Sequence, residues 1–301
     1  MVDVASITVA VISLVGSILT AVAGGWWAYY SEERKDRRET ERLLRKYRDP
    51  LLLAAQDLQA RLYNIISLCI VDSFIDAEEK YQDALFIYTA FLFGQYLCWV
   101  YILRRQTQFL CFATEERNSS KSVVDLLEKI KLVLNTDRHG PLPFMLWKGD
   151  QMAIGELMCV SEDGELMCMG FSTFTKLWKE GELLVREATQ DTGDATHSAA
   201  SIDASNFRNW FRPIGDGIRD LHEARHRNRP GEDDRLRQLQ HCLGDLVRAL
   251  DRNGTHGGKE HDKVRPARSG CPCRDCRSAE RETKDSPNGH VVLGAQRDDM
   301  A

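Results

Sequence analysis

The sequence lacks any excess of charge of one sign. Its 40 basic and 45 acidic residues leave a net charge of −5 and are well mixed along the chain, which excludes a global nucleic-acid-binding face. It also lacks a compact, even-numbered cysteine framework. Nine cysteines are scattered at 69, 98, 111, 159, 168 and 242 and then cluster at 271, 273 and 276. That pattern reads as reduced thiols and assigns the bulk of the chain to the cytosol. A Walker loop, a GxGxxG turn after a strand, a GxSxG elbow and a kinase signature are missing as well, so the common nucleotide-binding and serine-hydrolase motifs are excluded. What remains is a chain of 301 residues, long enough for one large domain or two small ones with a substantial core.

One absence points to structure directly. From Ile7 to Tyr30 the chain carries no charge over 24 residues. At helical rise this stretch spans about 36 Å, more than the roughly 30 Å of bilayer hydrocarbon. Trp26, Trp27, Tyr29 and Tyr30 crowd its end, where amphipathic rings settle at the headgroup level. The following residues 31–48 hold eight Lys or Arg against five acids, whereas only Asp3 precedes the stretch. The positive-inside bias therefore predicts a single span with residues 31 onward in the cytosol. Ala21-Val22-Ala23 resembles a signal-peptide cleavage site, but the n-region has no basic residue and the apolar run is too long. Ser13, Ser17, Ala21 and Gly25 recur every fourth position, a ridge of small residues that permits close helix–helix approach and self-association in lipid.

After the membrane the pattern is helical. Residues 31–48 read as a charged juxtamembrane helix with Glu33–Arg37 and Glu41–Arg45 at supporting spacing. Asp49-Pro50 reads as the cap and first position of a new helix, whose buried face is Leu51, Leu52, Ala55, Leu58, Leu62, Ile65 and Ile66. Residues 84–103 are again free of charge over twenty positions, which by length fits either a second span or a bundle's central helix. Thr89, Gln95, three tyrosines and the placement of Arg104 and Arg105 favour the central helix. A further amphipathic helix is expected over 122–134. The region near 144–171 is the one place where β-structure is expected, because Gly-Glu-Leu-Met-Cys occurs at both 155–159 and 164–168. A two-residue turn at Asp163-Gly164 sets Cys159 opposite Cys168, at the cost of facing Glu162 with Glu165; a four-residue loop is the alternative. Helices are then expected over 172–187, 207–227 and 233–251, with a polar linker at 188–205. The tail 252–301 reads as disordered. The expected fold is thus mainly α: a transmembrane anchor (1–30), a charged collar (31–48) and a cytosolic helical bundle (49–251) with a small β-hairpin.

Several phrases resemble a family of fungal and bacterial membrane-anchored helical proteins to which no activity is assigned. They are KYRDPLLLAAQDLQARLYNI at 46–65, LFGQYLCWVYILRRQTQFL at 92–110, FMLWKGDQMAIGELM at 144–158 and LQHCLGDLVRALD at 239–251. The resemblance runs over most of 7–251 and implies a shared helical fold and an anchor. In that family a carboxylate often stands where this chain has Tyr101, which favours the core-helix reading of 84–103 for the relatives; this chain departs from it.

Two constellations carry possible chemistry. His222-Glu223-Ala224-Arg225-His226 has the HExxH form. On a helix the two imidazoles share a face and can hold zinc while the glutamate serves as base. The surroundings are crowded with arginine, Pro230 follows closely, and no third ligand stands at the metzincin spacing; histidine and arginine also suit a helix C-terminus. The second is Cys271-Pro-Cys273-Arg-Asp-Cys276, a CxCxxC cluster with His256, His261 and His290 nearby. Three thiolates and one imidazole satisfy tetrahedral zinc, although an exposed redox-reactive or lipidated tail explains the same residues. The expected role is a non-catalytic, membrane-anchored interaction or scaffold protein with the bilayer and an unidentified protein as partners, no nucleic acid and no obligatory cofactor. A membrane-tethered zinc hydrolase using His222, Glu223 and His226 is the alternative.

Overall fold

The computed structural model describes residues 46–107, 119–137, 143–190, 199–227, 231–251, 262–264, 271, 273, 275 and 276, and a helical piece at 16–17, 20 and 22–27. The remainder of the expected anchor, including Tyr29 and Tyr30, and most of the charged collar lie outside the described residues. Within the anchor piece, Thr20 Oγ1 donates to Gly16 O at 2.8 Å, and Val22, Trp26 and Trp27 are exposed.

Helix α1 covers 46–67 and runs unbroken across Asp49-Pro50. The helix start expected there is absent: among the described residues the backbone is already helical from Lys46. The apolar positions named from the sequence, Leu51 through Ile66, are all buried, because burial follows the spacing of side chains whatever the position of the helix start. After the short α2 (Ile70–Phe74) comes α3 (Glu79–Thr107). It packs against α2, α5 (Lys148–Leu157), α6 (Phe171–Gln190), α7 (Ala199–His226) and the hairpin. Over Glu79–Gln106 this helix is long and apolar enough to cross a membrane, and 72% of its most apolar window is buried inside the protein. Ala90, Phe93, Cys98 and Ile102 lie fully inside the core. Arg61 of α1 donates to Thr89 Oγ1 at 3.0 Å and to the Leu85 carbonyl at 3.1 Å, so the polar threonine of α3 meets a partner within the protein.

Helix α4 (Ser119–Asn135) packs along α8 (Asp234–Leu250), and α6 along α7. The start of α5 is tied down twice: Asp150 accepts from the Trp147 amide at 2.9 Å, and Asn135 Oδ1 from the Lys148 amide at 3.0 Å. These bonds satisfy N–H groups that a helix leaves unpaired. Fully buried Arg235 donates to the carbonyls of Pro143 (2.8 Å) and Thr136 (2.6 Å), holding the α4–α5 connection against α8. Strands β1 (Cys159–Glu162) and β2 (Glu165–Cys168) form an antiparallel pair in which Cys159 faces Cys168 and Glu162 faces Glu165. The two-residue turn is the form adopted: Asp163 and Gly164 both have positive φ, 50° and 81°, as a type I′ turn requires. Lys46 lies 2.7 Å from Glu165 and offsets the facing carboxylates. The polar linker expected at 188–205 is shorter among the described residues, since α6 continues to Gln190 and α7 begins at Ala199.

Candidate metal centre

Helix α8 turns Leu236, Leu239, Leu243, Leu246 and Leu250 into the core. Along the same helix Gln240, His241 and Asp245 are also buried, and such polar groups need partners. They find them in the segment after the helix. Gln240 Nε2 donates to Asp262 O at 2.8 Å, and its Oε1 accepts from the Val264 amide at 3.2 Å. Asp245 Oδ1 receives Lys263 Nζ at 2.7 Å and Arg248 at 2.6 Å; Asp275 Oδ2 receives the same two cations at 2.8 and 3.3 Å. Burial works to lower the Lys263 pKa, but the hydrogen bonds to Asp245 and Asp275 outweigh it and the net shift is upward.

His241, on α8, lies at the middle of the contacts with this later segment, which forms a strap on the helix. Its Nε2 is 2.8 Å from the Val264 carbonyl. A carbonyl only accepts, so the ring proton resides on Nε2 and the Nδ1 lone pair is left free to bind. That Nδ1 lies 3.5 Å from each of the sulfurs of Cys271, Cys273 and Cys276. All four donor atoms fall within 4.8 Å of one another, and Cys271 and Cys273 are buried. The Cys276 amide points at the Cys273 sulfur, 3.3 Å away. Cys273 is pulled well below the ordinary thiol range, first by the hydrogen bond from Cys271 and also by that amide; Cys271, the donor, is pushed up. Neighbouring Cys242 is pushed up to about 12 by burial, as expected of an inert core thiol.

These residues can hold a metal ion. The three cysteines were legible in the sequence, but His241 was not among the candidates. His256, His261 and His290, the imidazoles named for that role, lie outside the described residues. The overlooked signal is a histidine on the core face of α8 between Leu239 and Leu243, where a polar ring calls for a partner. The tail expected to be disordered therefore has a docked portion, because Val264 packs against the core and Cys271 and Cys273 are buried beside His241 of α8.

The HExxH string sits on α7 as expected, with the rings of His222 and His226 4.2 Å apart. Across from them stands Asp72, 2.8 Å from His222 Nδ1, while Asp76 is 3.7 Å from Nε2. Arg225 shares Asp72 at 3.1 Å and donates to Ile65 O at 2.7 Å, closing the C-terminal end of α1. Glu223 pairs with Arg227 at 3.0 Å, both 60% exposed. A surface cavity of about 460 Å³ lies elsewhere, lined by α3 and α6 residues including Asp83, Ile87, Phe171 and Lys179. Among the described residues, the cluster of three or more ligating side chains able to hold a metal is the one at His241.

The hairpin cysteines Cys159 and Cys168 are half-buried free thiols, with Cys168 sharing a hydrogen bond with Cys98 of α3. No protein-family model, curated protein or solved structure matches the chain.

Proposed function

We propose that the protein is a single-pass, membrane-anchored helical module that acts through protein contacts at the membrane and performs no catalysis of its own. The observation that carries this reading is the uncharged stretch 7–30, whose described residues form helix and leave Trp26 and Trp27 exposed to the surroundings. Large apolar surface without a protein partner marks a lipid or protein contact, and its aromatic end followed by basic residues fits a membrane boundary. Self-association through the ridge of Ser13, Ser17, Ala21 and Gly25 is part of the proposal.

The hydrolase alternative has less support. Zinc on His222 and His226 has to compete with the Arg225 guanidinium for Asp72, the nearest carboxylate. Glu223, its general base, is engaged by Arg227 on an exposed face.

Sealed vesicles carrying the full chain with a tag at each end test the topology. One span predicts that added protease removes the C-terminal tag and spares the N-terminal one. Protection of both tags overturns it in favour of a second span through α3, and release of the whole chain by alkaline carbonate overturns membrane insertion altogether.

A further inference from the structure

We propose that His241, Cys271, Cys273 and Cys276 form a closed, structural zinc(II) site that fastens the segment after α8 onto the helical bundle. The proposal goes beyond the membrane reading, since all four ligands lie in α8 and the chain that follows it.

The geometry is that of a four-coordinate ion. Tetrahedral zinc, with Zn–S near 2.3 Å and Zn–N near 2.0 Å, sets nitrogen about 3.5 Å from each sulfur and the sulfurs about 3.8 Å apart. His241 Nδ1 stands 3.5 Å from all three sulfurs, and no pair of donors exceeds 4.8 Å. Three equal nitrogen–sulfur separations place the imidazole over the centre of a sulfur triangle. A disulfide would join two sulfurs and leave the third with no reason to converge on the same nitrogen. The donor chemistry narrows the ion further. Calcium and magnesium take oxygen ligands, whereas three soft thiolates and an imidazole in tetrahedral array select zinc.

The surroundings are those of a built site. His241 donates its other nitrogen's proton to the Val264 carbonyl, the arrangement that orients a ligating histidine and fixes its tautomer. The Cys276 amide supports the Cys273 sulfur. Three thiolates and a dication sum to one negative charge, and Lys263 and Arg248 stand beside the ligand-bearing segment through Asp275. Binding releases the thiol protons to solvent as three Zn–S bonds form, with no change of oxidation state. Four protein donors leave no open position for water or substrate, so the ion is structural. Its effect is to close a loop of 30 residues from His241 to Cys271, the kind of constraint that offsets most chain entropy when the loop is long.

The test is metal analysis of the full chain, purified in detergent without chelator. About one zinc per chain is expected, with an X-ray absorption first shell of three sulfurs and one nitrogen. Cys273→Ser and His241→Ala should each lower zinc retention by roughly tenfold or more, whereas His222→Ala should keep it. Circular dichroism shows whether the variants retain their helices. Should a variant fail to fold, the wild-type chain still decides the matter. After chelation and cobalt(II) addition it should develop thiolate-to-cobalt charge-transfer bands, and Cys271, Cys273 and Cys276 should become resistant to alkylation. A wild-type chain with no zinc and no cobalt–thiolate band overturns the proposal. So does zinc that persists in both ligand variants, and so does zinc lost on His222→Ala alone.

Discussion

Helix α7 brings two histidines and α8 one to places where a metal could bind, and they differ in what stands opposite. On α7 the motif spacing succeeds locally, setting two imidazoles 4.2 Å apart on one face. The facing elements then supply Asp72 together with the competing cation Arg225, so the group works as a polar clamp between α1, α2 and α7. On α8 a single histidine meets three sulfurs from a segment 30 to 35 residues away. Spacing within a helix can orient ligands; only the partner across from them decides whether the cluster takes an ion or holds itself together.

The sharpest way to break this comparison is to challenge the proposed metal site on α8 with a chelator. Chelation of the wild-type chain should expose Cys271, Cys273 and Cys276 to alkylation and lower the thermal midpoint, by on the order of 5–10 °C if a few kcal/mol of binding energy is lost. The His241→Ala protein should show no further response to chelator, and a full response there would undo the assignment of His241. Next in size is Arg225→Met. It strips the α1 carbonyls and Asp72 of a charged donor and should cost about 2–3 kcal/mol in urea unfolding, with zinc content unchanged. A loss of zinc in this variant would mean that the two clusters are not independent.

The strap itself can be titrated. Because the folded pKa of Lys263 is raised above its ordinary value of 10.5, its ion pairs contribute fully below that pH. The contribution is lost as pH climbs through the higher folded value. Thermal midpoints measured above about pH 10 should therefore fall more steeply for wild type than for Lys263→Met; parallel curves would remove Lys263 from the strap. The smallest effect belongs to Glu223→Ala. Its exposed pair with Arg227 is worth no more than about 0.5 kcal/mol, and no peptidase or amidase activity should change with it. An activity abolished by Glu223→Ala would restore the hydrolase reading.

The pentapeptide Gly-Glu-Leu-Met-Cys shows where sequence reasoning gained and lost. Its second copy, 164–168, forms the expected turn and strand, with Gly164 at φ 81°. Its first copy, 155–159, ends helix α5 instead, and only Cys159 enters the strand. Gly155 is needed there for a different reason: an added Cβ would lie 2.8 Å from both the Leu97 carbonyl and Tyr101 Cβ of α3. Five identical residues thus take two conformations, chosen by what packs against them. The same limit appears at Pro50. Asp-Pro reads as a helix start, but the described backbone is already helical from Lys46.

By itself the sequence determined the features that depend on near neighbours. These are the buried faces of α1 and α8, whose leucines recur at the helical period; for the hairpin the sequence left a two-residue turn at Asp163-Gly164 and a four-residue loop both open, and the structure adopts the former. The sequence also determined the uncharged composition of 7–30. Only the tertiary structure decided what depends on distant partners. It placed α3 against α5, α6 and α7, gave the HExxH histidines a carboxylate already shared with an arginine, and brought His241 to Cys271, Cys273 and Cys276. The reason is the range of the forces involved. Periodicity and turn chemistry act over a few residues, whereas the Cys₃His set joins α8 to a segment some 30 residues later that Gln240 and Asp245 also hold onto the helix.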